Sequence, residues 1–172
     1  MNELSNAKNN NGKIPRVLLI TGIISILGTL PTILAGIQAA IKGKPQEEEV
    51  VRTKLELAKS LEEIQKYKLD YLEDLIRNLQ IMMDAMFDNF VAYNLVASAV
   101  AAVGLTGVVF MLLRKELGFH LYIIYSLLYV GQSYIFVPPS NVPLLFVILN
   151  FLFSGLFIFL YSLSLKWLRK IN

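Results

Sequence analysis

An all-α membrane protein is the fold class that the sequence predicts: a four-transmembrane-helix bundle with a long extracytoplasmic helical connection between spans 1 and 2. The first observation behind this is composition, since 55% of the 172 residues are hydrophobic and only 17% are charged. An ordinary soluble domain is about 45–50% apolar and about 25% charged. The second observation is that the charged residues leave four long gaps, and the third is that basic residues cluster beside those gaps. Lipid is therefore the predicted solvent for most of the chain.

The four gaps contain no Asp, Glu, Lys or Arg and have the length of membrane-spanning helices. They cover residues 17–41, 91–113, 117–137 and 142–165. A helix needs roughly 20 apolar residues to cross about 30 Å of hydrocarbon. In a soluble protein such helices would have to be surrounded by amphipathic ones, and only segment 42–90 is left for that. The first gap also exceeds the about 7–15 apolar residues of a cleaved signal peptide, so we predict four uncleaved spans.

The charges outside the spans predict the orientation of the chain. Segments 1–16, 114–116 and 166–172 together carry eight basic and two acidic residues, a net charge of +6. Segment 42–90 has a net charge of −3, and the turn 138–141 has none. Short loops rich in Lys and Arg stay in the cytoplasm. We therefore predict that both tails and the second turn are cytoplasmic and that the other two connections are extracytoplasmic. The overall net charge of +3 then reflects orientation, and no nucleic-acid partner is predicted.

The connection 42–90 is predicted to be helical and amphipathic, because neither Gly nor Pro occurs between Pro45 and Gly104. Its apolar residues recur at spacings of three and four. We predict that they form a partner-binding face: Leu61, Ile64, Leu72, Leu75, Leu79, Met82 and Met86.

Three paths are open to this connection, since both of its ends are tied to one membrane surface. It could lie on the surface, fold back as a hairpin, or climb outward as an extended segment through residues 47–49 before a helix runs without interruption into the second span. Surface-lying helices favour Lys and Arg on their polar face, and this segment is net acidic. The third path is therefore the one we favour from the sequence.

No metal, cofactor or catalytic site is predicted. Met82, Met83 and Met86 resemble a thioether cluster for Cu(I), but packing is the favoured interpretation because the chain has no cysteine and its one histidine, His120, is remote in sequence. The carboxylates of the connection alternate with Lys and Arg, which is typical of a solvated face with salt bridges. With no nucleophile and base to pair, we predict that the protein is not an enzyme.

The spans contain two sets of residues that predict contacts. Small residues allow close helix packing, and we predict this role for Gly28, Thr32, Gly36, Ala40, Ala97, Ala101 and Gly104. Polar residues in lipid turn inward, and we predict a polar bundle face made by Tyr122, Tyr125, Tyr129, Gln132, Asn150, Ser154 and Tyr161. Hydrogen bonding between helices is the favoured interpretation of the polar face, and a hydrophilic groove for a small molecule or lipid head group is the alternative.

Three stretches resemble a group of small, uncharacterised four-span membrane proteins of Bacteroidota-type bacteria. They are Ile14-Pro15-Arg16 with the apolar run after it, Arg114-Lys115-Glu116-Leu117-Gly118-Phe119-His120-Leu121-Tyr122, and Tyr161-Ser162-Leu163-Ser164-Leu165-Lys166-Trp167. The resemblance covers the four spans and leaves out segment 42–90. This chain departs from the group at the amino end, where Pro15 precedes Arg16, whereas the order in the group is Arg before Pro. It implies an inner-membrane location and carries over no activity and no site residues.

The leading functional hypothesis is a non-catalytic accessory or scaffold subunit of an inner-membrane complex. Its partners would be other membrane-protein subunits or further copies of the chain, bound through the small-residue faces and the apolar face of the connection. The alternative is a lipid- or small-solute-handling protein, or an oligomeric pore, that uses the polar faces of the third and fourth spans. The spans contain no ionisable residue but His120, which argues against a proton- or sodium-coupled carrier.

Overall fold

The computed structural model describes residues 13–67 and 70–169, and the regular structure of these residues is entirely helical. The side chain of Ile64 is not among the described ones. Eight α-helices are present in this part of the chain, with a 3₁₀ turn, Pro139–Asn141, between the sixth and the seventh. They are α1 (Arg16–Lys42), α2 (Glu47–Lys66), α3 (Asp70–Asp88), α4 (Phe90–Leu112), α5 (Leu117–Gly131), α6 (Ser133–Phe136), α7 (Leu144–Ser162) and α8 (Leu165–Leu168).

Three of these helices, α1, α4 and α7, are long and apolar enough to cross a membrane. The predicted third span, 117–137, is divided at Gln132 into α5 and α6, so that neither piece alone has the required length. The backbone of Gln132 stays helical, with φ −60° and ψ −31°. The Ile135 N–H donates to the Gln132 carbonyl at 3.2 Å, so the helix tightens at this point without ending. It ends at Val137, which is extended because a proline follows it.

The long helices form an antiparallel bundle in which α7 is held loosely. Helices α1 and α4 pack along their length, and α4 packs equally closely on α5. Helix α7 touches α1 and α5 at fewer points, and of its nineteen residues, all described, only Tyr161 is buried. We call the end of the bundle at Lys42 and Phe90 the hairpin end, and the end at Arg16 and Leu112 the tail end.

The connection between α1 and α4 is a helical hairpin. Helices α2 and α3 pack against each other, and Lys54 Nζ lies 2.7 Å from Asp84 Oδ1 across them. The favoured extended path through residues 47–49 is therefore wrong, since α2 already begins at Glu47. The three glutamates of its first turn complement the positive end of the helix dipole, which favours helix there. The helix of the connection was also expected to run into the second span without interruption, and Asn89 is the single residue between α3 and α4.

At the tail end, α8 and Arg169 are fixed to the turn between α4 and α5. The Lys115 N–H donates to the Phe110 carbonyl at 2.8 Å and the Arg114 N–H to the Met111 carbonyl at 3.0 Å, a Schellman motif. Arg114 occupies its left-handed position, with φ 62°. Its guanidinium lies 4.2 Å from the centre of the Trp167 ring, and Arg169 pairs with Glu116 at 2.8 Å. These contacts anchor α8 to the turn.

Replacing Lys54 by Gln is expected to loosen the hairpin and to leave the bundle folded. The hydrogen bond to Asp84 raises the pKa of Lys54 above its ordinary value of 10.5. The pair therefore stabilises the hairpin fully below about pH 10.5 and loses its effect as the pH rises through the higher folded pKa. Because both side chains are about half exposed, at 50% and 52%, the effect is small.

Spin labels at Leu55 and Ile81, both exposed, would measure the α2–α3 distance in a chain that has no native cysteine. The distance distribution should broaden in Lys54→Gln and, at high pH, in the wild type. Lys59→Gln removes a charge from the same helix as a matched control. An equal broadening in both variants would contradict a specific role for the Lys54–Asp84 pair.

Candidate functional site

The predicted helix-packing residues divide into those that bring helices together and those that do not. A methyl group built on Gly36 would overlap the Ser98 side chain and lie 2.8 Å from the Asn94 carbonyl oxygen, so α1 and α4 meet at Gly36. Ala97, Ala101 and Gly104 are buried on α4, and a methyl on Gly104 would lie 2.7 Å from the Tyr125 ring.

Gly28, Thr32 and Ala40 lie off the face of α1 that is buried within the bundle, and their predicted packing, which could also be with another protein, stays a prediction. Ala40 is exposed, whereas Gly28 and Thr32 line a cavity. The reason is geometric, since residues spaced strictly by four advance by about 40° around a helix with 3.6 residues per turn and drift off any one face. The buried face of α1 alternates spacings of three and four instead: Leu18, Gly22, Ser25, Thr29, Gly36 and Ala39.

The backbones of α4 and α5 approach each other closely at two glycines, Gly107 and Gly118. A methyl on Gly118 would lie 2.5 Å from both the Gly107 carbonyl oxygen and the Met111 nitrogen. Gly118 was not among the helix-packing residues predicted from the sequence. Its position in the first turn of α5, opposite the glycines of α4, could have indicated a close approach of the two helices.

A cavity of about 260 Å³ lies between the helices, where α7 stands away from α1 and α5. Its polar wall is made mainly by side chains from α1, α5 and α7. They are Ser25, Thr32, Tyr122, Tyr125, Ser126, Tyr129, Asn150 and Ser154. None of the described residues that line it is charged, so the cavity offers uncharged hydrogen-bonding groups beside apolar surface.

Three hydroxyl groups close the tail end of this cavity. Tyr161 Oη donates to Ser25 Oγ at 2.8 Å, and Ser25 Oγ lies 3.3 Å from Tyr122 Oη. All three residues are buried, and the rings of Tyr122 and Tyr161 meet edge to face with centroids 4.5 Å apart. We call Ser25, Tyr122 and Tyr161 the hydroxyl floor. It ties α1, α5 and α7 together at one level of the bundle.

From this floor, the tyrosines of α5 form a ladder along the cavity wall. The ring centroids of Tyr122 and Tyr125 are 5.3 Å apart, and those of Tyr125 and Tyr129 are 5.9 Å apart. The side-chain amide nitrogen of Asn150 on α7 donates a hydrogen bond to the Phe146 carbonyl at 2.8 Å. The side-chain oxygen of Asn150 remains able to accept a hydrogen bond from another donor. The ladder and Asn150 thus place several donors and one acceptor at different depths of the cavity.

The structure brings most of the predicted polar bundle face together. Tyr122, Tyr125, Tyr129, Asn150 and Ser154 line the cavity, and Tyr161 is part of the floor. Gln132 lines a neighbouring cavity of about 390 Å³, nearer to the hairpin end. Ser25 was missed, because one serine in an apolar span gives no signal until its distant partners are known.

The cavity is open sideways between α1 and α7. Ile24 and Phe153 belong to its lining, yet 51% of the surface of Ile24 and 61% of that of Phe153 are exposed. Gly28 is also exposed, and a methyl group built there meets no described atom within 4 Å. A ligand can therefore reach the polar wall through an apolar opening.

The apolar face of the hairpin, predicted to bind a partner, is largely covered by the chain itself. Met82 is buried in a cluster with Val137 and Val142, and Leu79 and Met86 pack against that cluster. The turn between α6 and α7 thus occupies the face predicted for a partner. Leu61, Leu72 and Leu75 are half-buried, and the side chain of Ile64 lies outside the described residues.

Comparisons of this chain with protein-family models, with curated proteins and with solved structures find no match. The resemblance to a four-span family therefore stays a prediction.

Proposed function

We propose that the protein is a non-catalytic, four-span membrane protein that handles lipids by receiving a polar head group in the cavity of its bundle. The observation that carries this proposal is the uncharged polar wall of the cavity together with its sideways opening between α1 and α7. In a membrane that opening would face the hydrocarbon, so the acyl chains of a lipid could stay in the bilayer while its head group occupies the cavity.

The fourth span of this proposal is the divided segment α5–α6. Residues 117–136 contain 20 residues with one tightened turn at Gln132, which corresponds to roughly 30 Å of helix at 1.5 Å per residue. The segment contains no Asp, Glu, Lys or Arg. The excess of Lys and Arg at the tail end supports a cytoplasmic tail end and an extracytoplasmic hairpin.

The position of the tyrosine ladder favours a buried head group over a purely structural role. Tyr129 lies roughly 18 Å along α5 from Leu117, past the middle of a bilayer about 30 Å thick. A polar group at that depth is costly unless it is hydrogen-bonded. Tyr129 lines the cavity and is 41% exposed, and its hydroxyl forms no hydrogen bond with any described residue. A head group would supply the partner.

A scaffold subunit is the second candidate function, and one observation favours it. Val51 and Leu55 lie one turn apart on α2 and expose 62% and 54% of their surface outside the bundle. An apolar pair of this kind on a water-facing helix is suited to contact with another subunit. Crosslinking in gentle detergent would test this: a chain that stays monomeric and whose behaviour does not change in Val51→Glu with Leu55→Glu would exclude it.

Replacing Tyr129 by Phe together with Asn150 by Leu is expected to lower head-group binding. Each change removes one hydrogen-bonding group worth about 1 kcal/mol, so the two together should weaken binding by roughly tenfold or more. The measurement is photo-crosslinking in vesicles to a phosphatidylglycerol whose diazirine is on the head group. Wild-type crosslinks should map to the cavity-lining parts of α1, α5 and α7.

Tyr134→Phe is the matched control, because Tyr134 is exposed on α6 and is not among the residues that line the cavity. A second probe with its diazirine at the chain end should label the outside of the bundle instead. If the head-group probe fails to label the cavity residues in the wild type, the proposed function is wrong.

A further inference from the structure

The cavity of the bundle continues to the surface at the hairpin end. It shares Thr32, Ala97 and Tyr129 with the second cavity of about 390 Å³. That cavity in turn shares Ala35 and Asn94 with a third of about 530 Å³, which lies at the base of the hairpin. Because neighbouring cavities share wall residues, they follow one another from the hydroxyl floor to the outside of the bundle, and we call the three together the groove.

One face of α1 follows this groove along its whole length. Ser25, Gly28, Thr32, Ala35, Gln38 and Lys42 all line it. Their spacings of three and four keep them on a single side of the helix. From Ser25 to Lys42 the face extends roughly 26 Å at 1.5 Å per residue, most of the about 30 Å of a bilayer's hydrocarbon. The groove is therefore deep, and the hydroxyl floor closes it at one end.

The open end of the groove carries positive charge. Lys42 and Lys44 line it together with Glu49, which gives the mouth two cations and one anion. Both lysines are exposed, and within the described residues neither forms an ion pair. Two ammonium groups against one carboxylate leave the lining of the mouth net positive, which attracts an anion, and a phosphate is the anion that a membrane lipid offers.

Between mouth and floor, the groove holds a buried acceptor without a partner. Gln132 is 8% exposed, and its Oε1 makes no hydrogen bond to any described residue. A buried amide oxygen without a donor is unfavourable, because it has given up its hydrogen bonds to water. A head group with a hydroxyl or ammonium donor beyond its phosphate would satisfy it. The polar groups thus follow in order from the mouth: cations, then an acceptor, then the hydroxyls of the tyrosine ladder.

We infer that phospholipid head groups enter the groove from the hairpin end, with Lys42 and Lys44 selecting the phosphate. This inference rests on the proposed function and specifies the ligand and its direction of entry. A head group that carries both a phosphate and a donor, such as phosphoglycerol, matches the sequence of groups along the groove. The hydroxyl floor stops it before the tail end.

The test compares two photoreactive lipids in vesicles, a phosphatidylglycerol and a diacylglycerol that lacks the phosphate, each with its diazirine on the polar end. The wild type should label several-fold more strongly with the phosphate lipid, and rising salt should reduce that preference. Lys42→Gln with Lys44→Gln should abolish the preference and leave labelling by the diacylglycerol unchanged. Lys59→Gln with Lys66→Gln removes the same charge from α2, away from the mouth, and should change neither.

Two results would overturn the inference, and they are distinguishable. If both lipids label the cavity but the preference survives in the Lys42–Lys44 variant, the mouth does not select the phosphate and the proposed function stands. If neither lipid labels the cavity residues of the wild type, the proposed function and the inference fail together.

Discussion

Gly118→Ala is expected to destabilise the bundle strongly. The added carbon would lie 2.5 Å from the Gly107 carbonyl oxygen and from the Met111 nitrogen. Both are backbone atoms of α4, so neither can move away by rotating a side chain, and the two helices have to separate. Overpacking of this kind costs typically about 1–3 kcal/mol, and contact with backbone favours the upper end.

Unfolding of the purified protein in mixed micelles would measure this loss. Trp167 is the single tryptophan and packs beside the turn between α4 and α5, so its fluorescence reports on the affected contact. Gly131→Ala is the matched control on the same helix, because a methyl there meets no described atom within 4 Å. Alanine favours helix over glycine by up to about 1 kcal/mol, so the control should be neutral or slightly stabilised. Equal losses in both variants would show that the close approach of α4 and α5 at Gly118 does not govern the effect.

The sequence predicts the apolar helices well because their signal is local. Runs of more than twenty residues without charge are visible without knowing any contact, and α1, α4 and α7 follow from them. The division of the third run at Gln132 has no such signal, since the residues on both sides remain helical. Gly131 stands directly before the break, but a glycine alone does not predict one, since Gly28 and Gly36 lie inside the continuous helix α1.

The path of the connection depends on contacts between residues distant in sequence. The extended and hairpin paths share one pattern of apolar spacing, and only pairs such as Lys54 with Asp84 or Met82 with Val142 distinguish them. The same limit applies to the site. Tyrosines and Asn150 stand out from apolar surroundings at helical spacing, whereas the role of Ser25 depends on Tyr161, which lies 136 residues away.

Gly28→Leu is expected to block the cavity without weakening the fold. Gly28 lines the cavity, and a methyl built on it meets no described atom within 4 Å, so a longer side chain has room to enter. Leucine is a better helix former than glycine by close to 1 kcal/mol, so the free energy of unfolding should stay constant or rise. A head group that needs the same volume would be excluded, and labelling by the head-group probe should fall at least tenfold.

Gly155→Leu is the matched control for this substitution. Gly155 lies on α7 with no described atom within 4 Å of an added methyl, and it is not among the residues that line the cavity. It should gain the same helix propensity and keep full labelling. Normal labelling in Gly28→Leu would mean that the cavity is not where the head group binds, whereas an equal loss in both variants would point to a general effect of apolar bulk in the membrane. The two variants make the same chemical change and differ only in the space that the new side chain enters. If Gly28→Leu is stable and loses labelling while Gly155→Leu keeps it, the loss is due to exclusion of the ligand and not to damage to the fold.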